Sequence, residues 1–188
     1  MMDGSVAERP LLDSRVAAFL VFSVGLLLAI LAGLLGENAD YMRAKATIWP
    51  AAALGGWAVA LMIRHGFGQA LAATAWRSWW AWGLLAYAIH LWWGFGVIYG
   101  GDLDAVYAGQ GTLVASANFA LLALWAASVI AAFAGAPAAW LHGVTALLFG
   151  VSILAASILF GRDVSPIGGI VLVLIWLGAL YLRPSEKE

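Results

Sequence analysis

The sequence predicts an all-α, polytopic integral membrane protein with six transmembrane helices in a compact bundle, and three observations carry that expectation. Of 188 residues, 64% are hydrophobic and 10% charged, against about 45 to 50% and 25% in soluble domains. One core of this size cannot bury so many apolar side chains, so most are expected to face lipid. The apolar runs are continuous rather than alternating, which selects helices over the other structure a bilayer admits, a closed barrel. From Ala105 to Gly161 there is no Asp, Glu, Lys or Arg across 57 residues. As one helix that stretch would measure roughly 85 Å, so it must fold back within a hydrocarbon core of about 30 Å.

Charges and turn residues divide the chain into six expected spans, residues 16–36, 47–63, 79–99, 113–133, 140–160 and 167–182. Together they make one transmembrane domain. The first run is too long for the apolar region of a signal peptide, about 7 to 15 residues, and no convincing small-x-small cleavage site follows it, so it reads as a retained span. The second and sixth runs are the shortest. The third is followed by an acidic segment with Asp102 and Asp104, and residues 103–111 read as a short surface helix. Ala134-Gly135-Ala136-Pro137 is the turn that pairs spans four and five. Pro50 and Pro166 read as first-turn prolines of spans two and six.

Charge sets orientation and excludes several functions. Nine Lys and Arg against ten Asp and Glu leave a net charge of −1 without a basic stripe, which argues against nucleic-acid binding. The six-span division puts Arg9, Arg15, Arg64, Arg77, Arg183 and Lys187 on one side, and Arg43, Lys45 and Arg162 on the other. The positive-inside rule then predicts a bacterial-type cytoplasmic (inner) membrane protein with both termini cytoplasmic. Cysteine is absent, so disulfides, thiolate metal sites and thiol catalysis are excluded. Among eleven tryptophans, Trp49, Trp76, Trp79, Trp80 and Trp140 fall near span ends and read as an interfacial belt.

Small residues four apart mark close helix approach in lipid. Gly25, Ala29 and Gly33 form such a ridge on span one, Ala51 and Gly55 a shorter one on span two, and Gly96 and Gly100 one at the outer end of span three.

The residue that departs from generic membrane composition is His90. Counting from Trp79 it falls near the bilayer midplane, where an ionisable group is costly and suggests function. Helical spacing puts Tyr87, Trp93 and Gly94 on its face, and Asn118, Thr145 and Ser152 lie on other spans at compatible depth. Tyr87, His90, Trp93, Asn118 and Ser152 are therefore the candidate ligand-binding residues. Ala86 four residues before His90, with Trp92 and Trp93 just after, resembles the small-xxx-His arrangement around chlorophyll ligands in light-harvesting helices. That resemblance, about eight residues long, implies a tetrapyrrole held by His90. A bis-histidine haem fails on depth, since His142 falls near the edge of its span, and no carboxylate stands within reach of His90 to build a metal site.

No GxSxG, HExxH or phosphate-binding loop is present, and no charged group lies inside a span. The leading expectation is therefore a multi-pass membrane protein of binding, scaffold or accessory-subunit type, without covalent chemistry or a cofactor of its own. Its partners would be the bilayer and either another membrane protein or a second copy. A redox or pigment protein holding one tetrapyrrole through His90 is the alternative, and a small-molecule transporter the third reading.

Overall fold

The computed structural model describes residues 13–67, 74–159 and 165–184. Arg9, Arg162, Lys187 and the predicted span end at Phe160 lie outside the described residues. The chain forms α1 (Ser14–Leu31, tightening into a 3-10 turn over Ala32–Leu34), α2 (Ala39–His65) and α3 (Trp76–Leu91, continuing as a π-helix over Trp92–Ile98). Then follow α4 (Leu103–Gln110), α5 (Thr112–Ala134), α6 (Ala139–Leu154, continuing as a π-helix over Ala155–Leu159) and α7 (Ser165–Tyr181). No strand occurs among the described residues. Helices α1, α2, α3, α5 and α6 are long and apolar enough to cross a membrane, while the apolar α7 has 17 described residues.

Consecutive long helices run in opposite directions, so α1 and α3, which touch at their first turns, run parallel. Ser14 of α1 accepts a 2.8 Å hydrogen bond from the Trp79 indole of α3, and Phe67, Trp76 and His142 cluster at that same end of the bundle. The opposite end carries Asn38, whose side chain caps α2 by accepting from the Tyr41 amide. Gly135, at φ 69°, ends α5 in the left-handed conformation that glycine adopts without a Cβ clash, which makes the expected α5–α6 turn.

The second helix departs most from expectation. Residues 47–63 read as a short span, yet α2 has 27 residues and is the central helix. In its most apolar window 61% of residues are buried, against 17 to 28% in the other four long helices. Its polar first turns survive because partners satisfy them: Arg43 pairs with Asp40 at 3.3 Å and lies 5.6 Å from the centre of the Trp93 ring. Pro50 consequently sits in the interior of α2 rather than in its first turn. There it meets Gly25, where an added Cβ would lie 3.0 Å from the proline Cβ.

The ridge on α1 faces α2 as its spacing predicts. Ala29 is buried, and a Cβ on Gly33 would approach the Arg43 side chain to 2.6 Å. Ala51 and Gly55 are likewise buried in α2. The Gly96–Gly100 pair is not a packing ridge: Gly96 faces its own Trp92, and a Cβ on Gly100 would meet open space. The change to π geometry alters the spacing on which the α-helical ridge was reckoned.

The core is aromatic. Trp80 and Trp125 stack with centroids 4.4 Å apart, and Phe149 sits edge-on to both. Trp76 and Trp80 are 1% and 0% exposed, so they are core residues and not part of an interfacial belt; Trp140, at 71%, is the exposed one of the five. A buried indole N–H gains from a partner, and two of the three fully buried tryptophans have one, while Trp76 Nε1 has no hydrogen-bond partner among the described residues. Trp80 donates to Ser128 Oγ at 3.0 Å, and Trp125 donates to the Trp80 carbonyl at 3.1 Å. The rings fit because Gly55 and Gly83 carry no side chain where α2 and α3 meet: a Cβ on Gly83 would stand 2.9 Å from the Trp125 ring and 3.1 Å from the Gly55 nitrogen.

Candidate functional site

At the Asn38 end, α2, α3, α4 and α5 line a half-open cavity of about 280 Å³, and His90 is on its wall. Three local features build it. After His90 the backbone of α3 widens into the π-helix, where the Tyr99 amide bonds the Gly94 carbonyl five residues back. Such π segments are frequent at functional sites because they shift side chains out of α-helical register. Asp102 caps α4 by accepting from the amides of Asp104 and Ala105. Gly111, at φ 79°, then turns the chain from α4 into α5, which carries Gln110 and Asn118 to the same wall.

His90 is held through one ring nitrogen. Its Nδ1 lies 2.9 Å from the Ala44 carbonyl and 3.4 Å from Thr47 Oγ1, both on α2. Ala44 is five residues into α2, about 8 Å by helical rise. Measured along α3, His90 is 14 residues from Trp76 and eight from Ile98, so it lies nearer the Asn38 end than the midplane position expected from the sequence. The helix starts three residues earlier than expected, which shifts the count.

The remaining candidates divide. Tyr87 is buried, and its hydroxyl donates to the backbone carbonyl and side-chain oxygen of Asn118 at 3.2 and 3.3 Å. Asn118 Nδ2 donates in turn to Gln110 Oε1 at 3.1 Å. Trp93 packs on Arg43 and is not on the cavity wall, because the π turn begins just before it. Ser152 is also away from the cavity, and Thr145 bonds the Leu141 and Leu124 carbonyls nearer the other end. The polar cluster expected from Tyr87, His90, Asn118, Thr145 and Ser152 therefore reduces to Tyr87, His90 and Asn118. Ala44, Thr47 and Gln110 complete it. Gln110 stands eight residues before Asn118, a polar pair bridging two helices, and that spacing was its only signal in the sequence.

Lys45, Tyr41 and Tyr99 also border the cavity, and apolar side chains form most of the remaining wall. Phe95 and Phe119 meet edge to face at 5.9 Å, with Leu91 and Ile98 beside them. An added Cβ on Gly94 would meet nothing within 4 Å.

A second polar group lies near the Ser14 end. His142 is 4% exposed, and its Nδ1 is 2.8 Å from Ser128 Oγ, which also accepts from Trp80. Trp80 and His90 are ten residues apart on α3, about 15 Å of rise. The two histidines thus occupy separate levels of the bundle and cannot share one haem iron.

Comparison with protein-family models, curated proteins and solved structures finds no match to this chain.

Proposed function

We propose that the chain is a six-span protein of a bacterial-type cytoplasmic membrane, with both termini cytoplasmic, that holds a small ligand in the cavity beside His90 without covalent chemistry of its own. The alternation of helix direction and the six-to-three division of basic residues support the topology. The observation that carries the binding reading is the orientation of His90. One nitrogen is fixed by a backbone carbonyl while the ring borders a cavity walled mainly by apolar groups. Few polar groups converging on an apolar hollow is the usual form of a small-molecule site.

The volume favours a small ligand over a tetrapyrrole. At about 280 Å³ the cavity falls just below the ~300–1,000 Å³ of drug-sized ligand pockets, and a macrocycle with its substituents is itself of that size. Binding to another membrane protein or to a second copy fits the same class and leaves the cavity to its ligand.

Gly94→Leu tests the reading, because the new side chain enters open space on the cavity wall. Small molecules extracted from wild-type protein purified out of native membrane should include a compound missing from the folded variant. Identical extracts would defeat the proposal.

A further inference from the structure

We infer that the ligand of this cavity is an uncharged hydroxy-carbonyl compound with an apolar body, its hydroxyl donating to His90 Nε2 and its carbonyl accepting from the Gln110 amide. The inference rests on the cavity reading above and adds the chemistry of the occupant.

The tautomer of His90 follows from its partners. A backbone carbonyl can only accept, so the nitrogen 2.9 Å from the Ala44 oxygen must be Nδ1–H. Thr47 Oγ1 stands 3.0 Å from that same carbonyl and donates there, leaving its oxygen and not its proton toward the ring. An imidazolium at this place would be a charge without an ion-pair partner among the described residues, and such a charge is costly to bury. The ring is therefore neutral and Nε2 carries a lone pair. No described group hydrogen-bonds that nitrogen, so what His90 offers a ligand is an acceptor.

Gln110 offers the opposite function. The single proton of the Tyr87 hydroxyl is shared between the Asn118 carbonyl and Oδ1, which places Oδ1 on the Tyr87 side and the Asn118 amide nitrogen toward Gln110 Oε1. With its oxygen engaged, Gln110 has its NH₂ as donor on the wall. Lys45, the cation on the same wall, is already engaged in an interaction of its own, and Arg43 is paired with Asp40. A ligand carrying both a donor and an acceptor satisfies the site, while Leu91, Phe95 and Phe119 receive its apolar part. An anion would set a negative charge against the His90 lone pair.

Two measurements on the full chain in lipid nanodiscs test this. In ¹⁵N-histidine NMR, the signal lost in His90→Gln should show its proton on Nδ1; a proton on Nε2 overturns the ligand class. In equilibrium dialysis, 4-hydroxyacetophenone should bind about five- to tenfold more tightly than 4-methoxyacetophenone or 4-ethylphenol, the value of one hydrogen bond. Gln110→Leu should erase its advantage over 4-ethylphenol and keep that over 4-methoxyacetophenone. Gly94→Leu supplies the blank for partition into lipid. Binding that Gly94→Leu removes but that ignores the hydroxyl or the carbonyl overturns the ligand class alone. Uptake of every probe that is equal in wild type and Gly94→Leu overturns the cavity reading with it.

Discussion

Replacing Gly83 with alanine tests whether the α2–α3 contact sets the geometry of the bundle. The added methyl would lie 2.9 Å from the Trp125 ring, 3.1 Å from the Gly55 nitrogen and 3.4 Å from the Gly55 Cα. None of these neighbours can yield easily. Trp125 is fully buried, stacked on Trp80 and tied by its indole to the Trp80 carbonyl, and the Gly55 atoms are backbone. Overpacking of this kind costs about 1 to 3 kcal/mol. It is opposed by the higher helix propensity of alanine, about 1 kcal/mol. Gly143→Ala on α6 isolates the two effects, because a Cβ there meets nothing within 4 Å and only the propensity gain remains. Equilibrium unfolding in mixed detergent micelles should therefore rank Gly83→Ala below Gly143→Ala by about 1 to 3 kcal/mol. Equal stabilities for the two variants would show that α2 and α3 do not approach this closely, and the aromatic core built on that approach would fall with it.

Three further outcomes are expected. Ser128→Ala removes the acceptor of the Trp80 indole and the partner of His142, both buried; thermal unfolding should show a loss of about 1 to 3 kcal/mol for the unpaired groups, and an unchanged midpoint would refute that network. His90→Leu should cost only about 0.5 to 1.5 kcal/mol, because Thr47 still satisfies the Ala44 carbonyl, with His90→Gln costing less; a larger loss in the same assay would mean that His90 is chiefly structural. Reporter fusions after Asp102 should read as periplasmic and those after His65 and Pro184 as cytoplasmic, and a periplasmic Pro184 fusion would refute the six-span topology.

Continuous apolar runs alone determined that the chain is all-helical and located α1, α5 and α6 to within two residues, because hydropathy records which segments avoid water. The charge-free stretch with Gly135 at its turn likewise placed the α5–α6 pair. Hydropathy does not record whether an apolar surface meets lipid or protein, and for that reason the central place of α2 was invisible. Its Asp40, Arg43 and Lys45 looked like the end of a loop until Arg43, paired with Asp40 one turn back on the same helix, met the Trp93 ring and the Ile30 carbonyl of other helices. Trp76 and Trp80 read as belt residues on the same footing as Trp140, and only packing across three helices buried them. His90 was legible as a candidate because an imidazole inside an apolar span is rare. Its partner was not, since a backbone carbonyl such as that of Ala44 has no side-chain signature, and the exclusion of Trp93 depended on a π turn that the local sequence does not announce. Local sequence set which segments are helical; the contacts between distant helices set which of their faces meet, and with them the cavity and the hydrogen bonds on its wall.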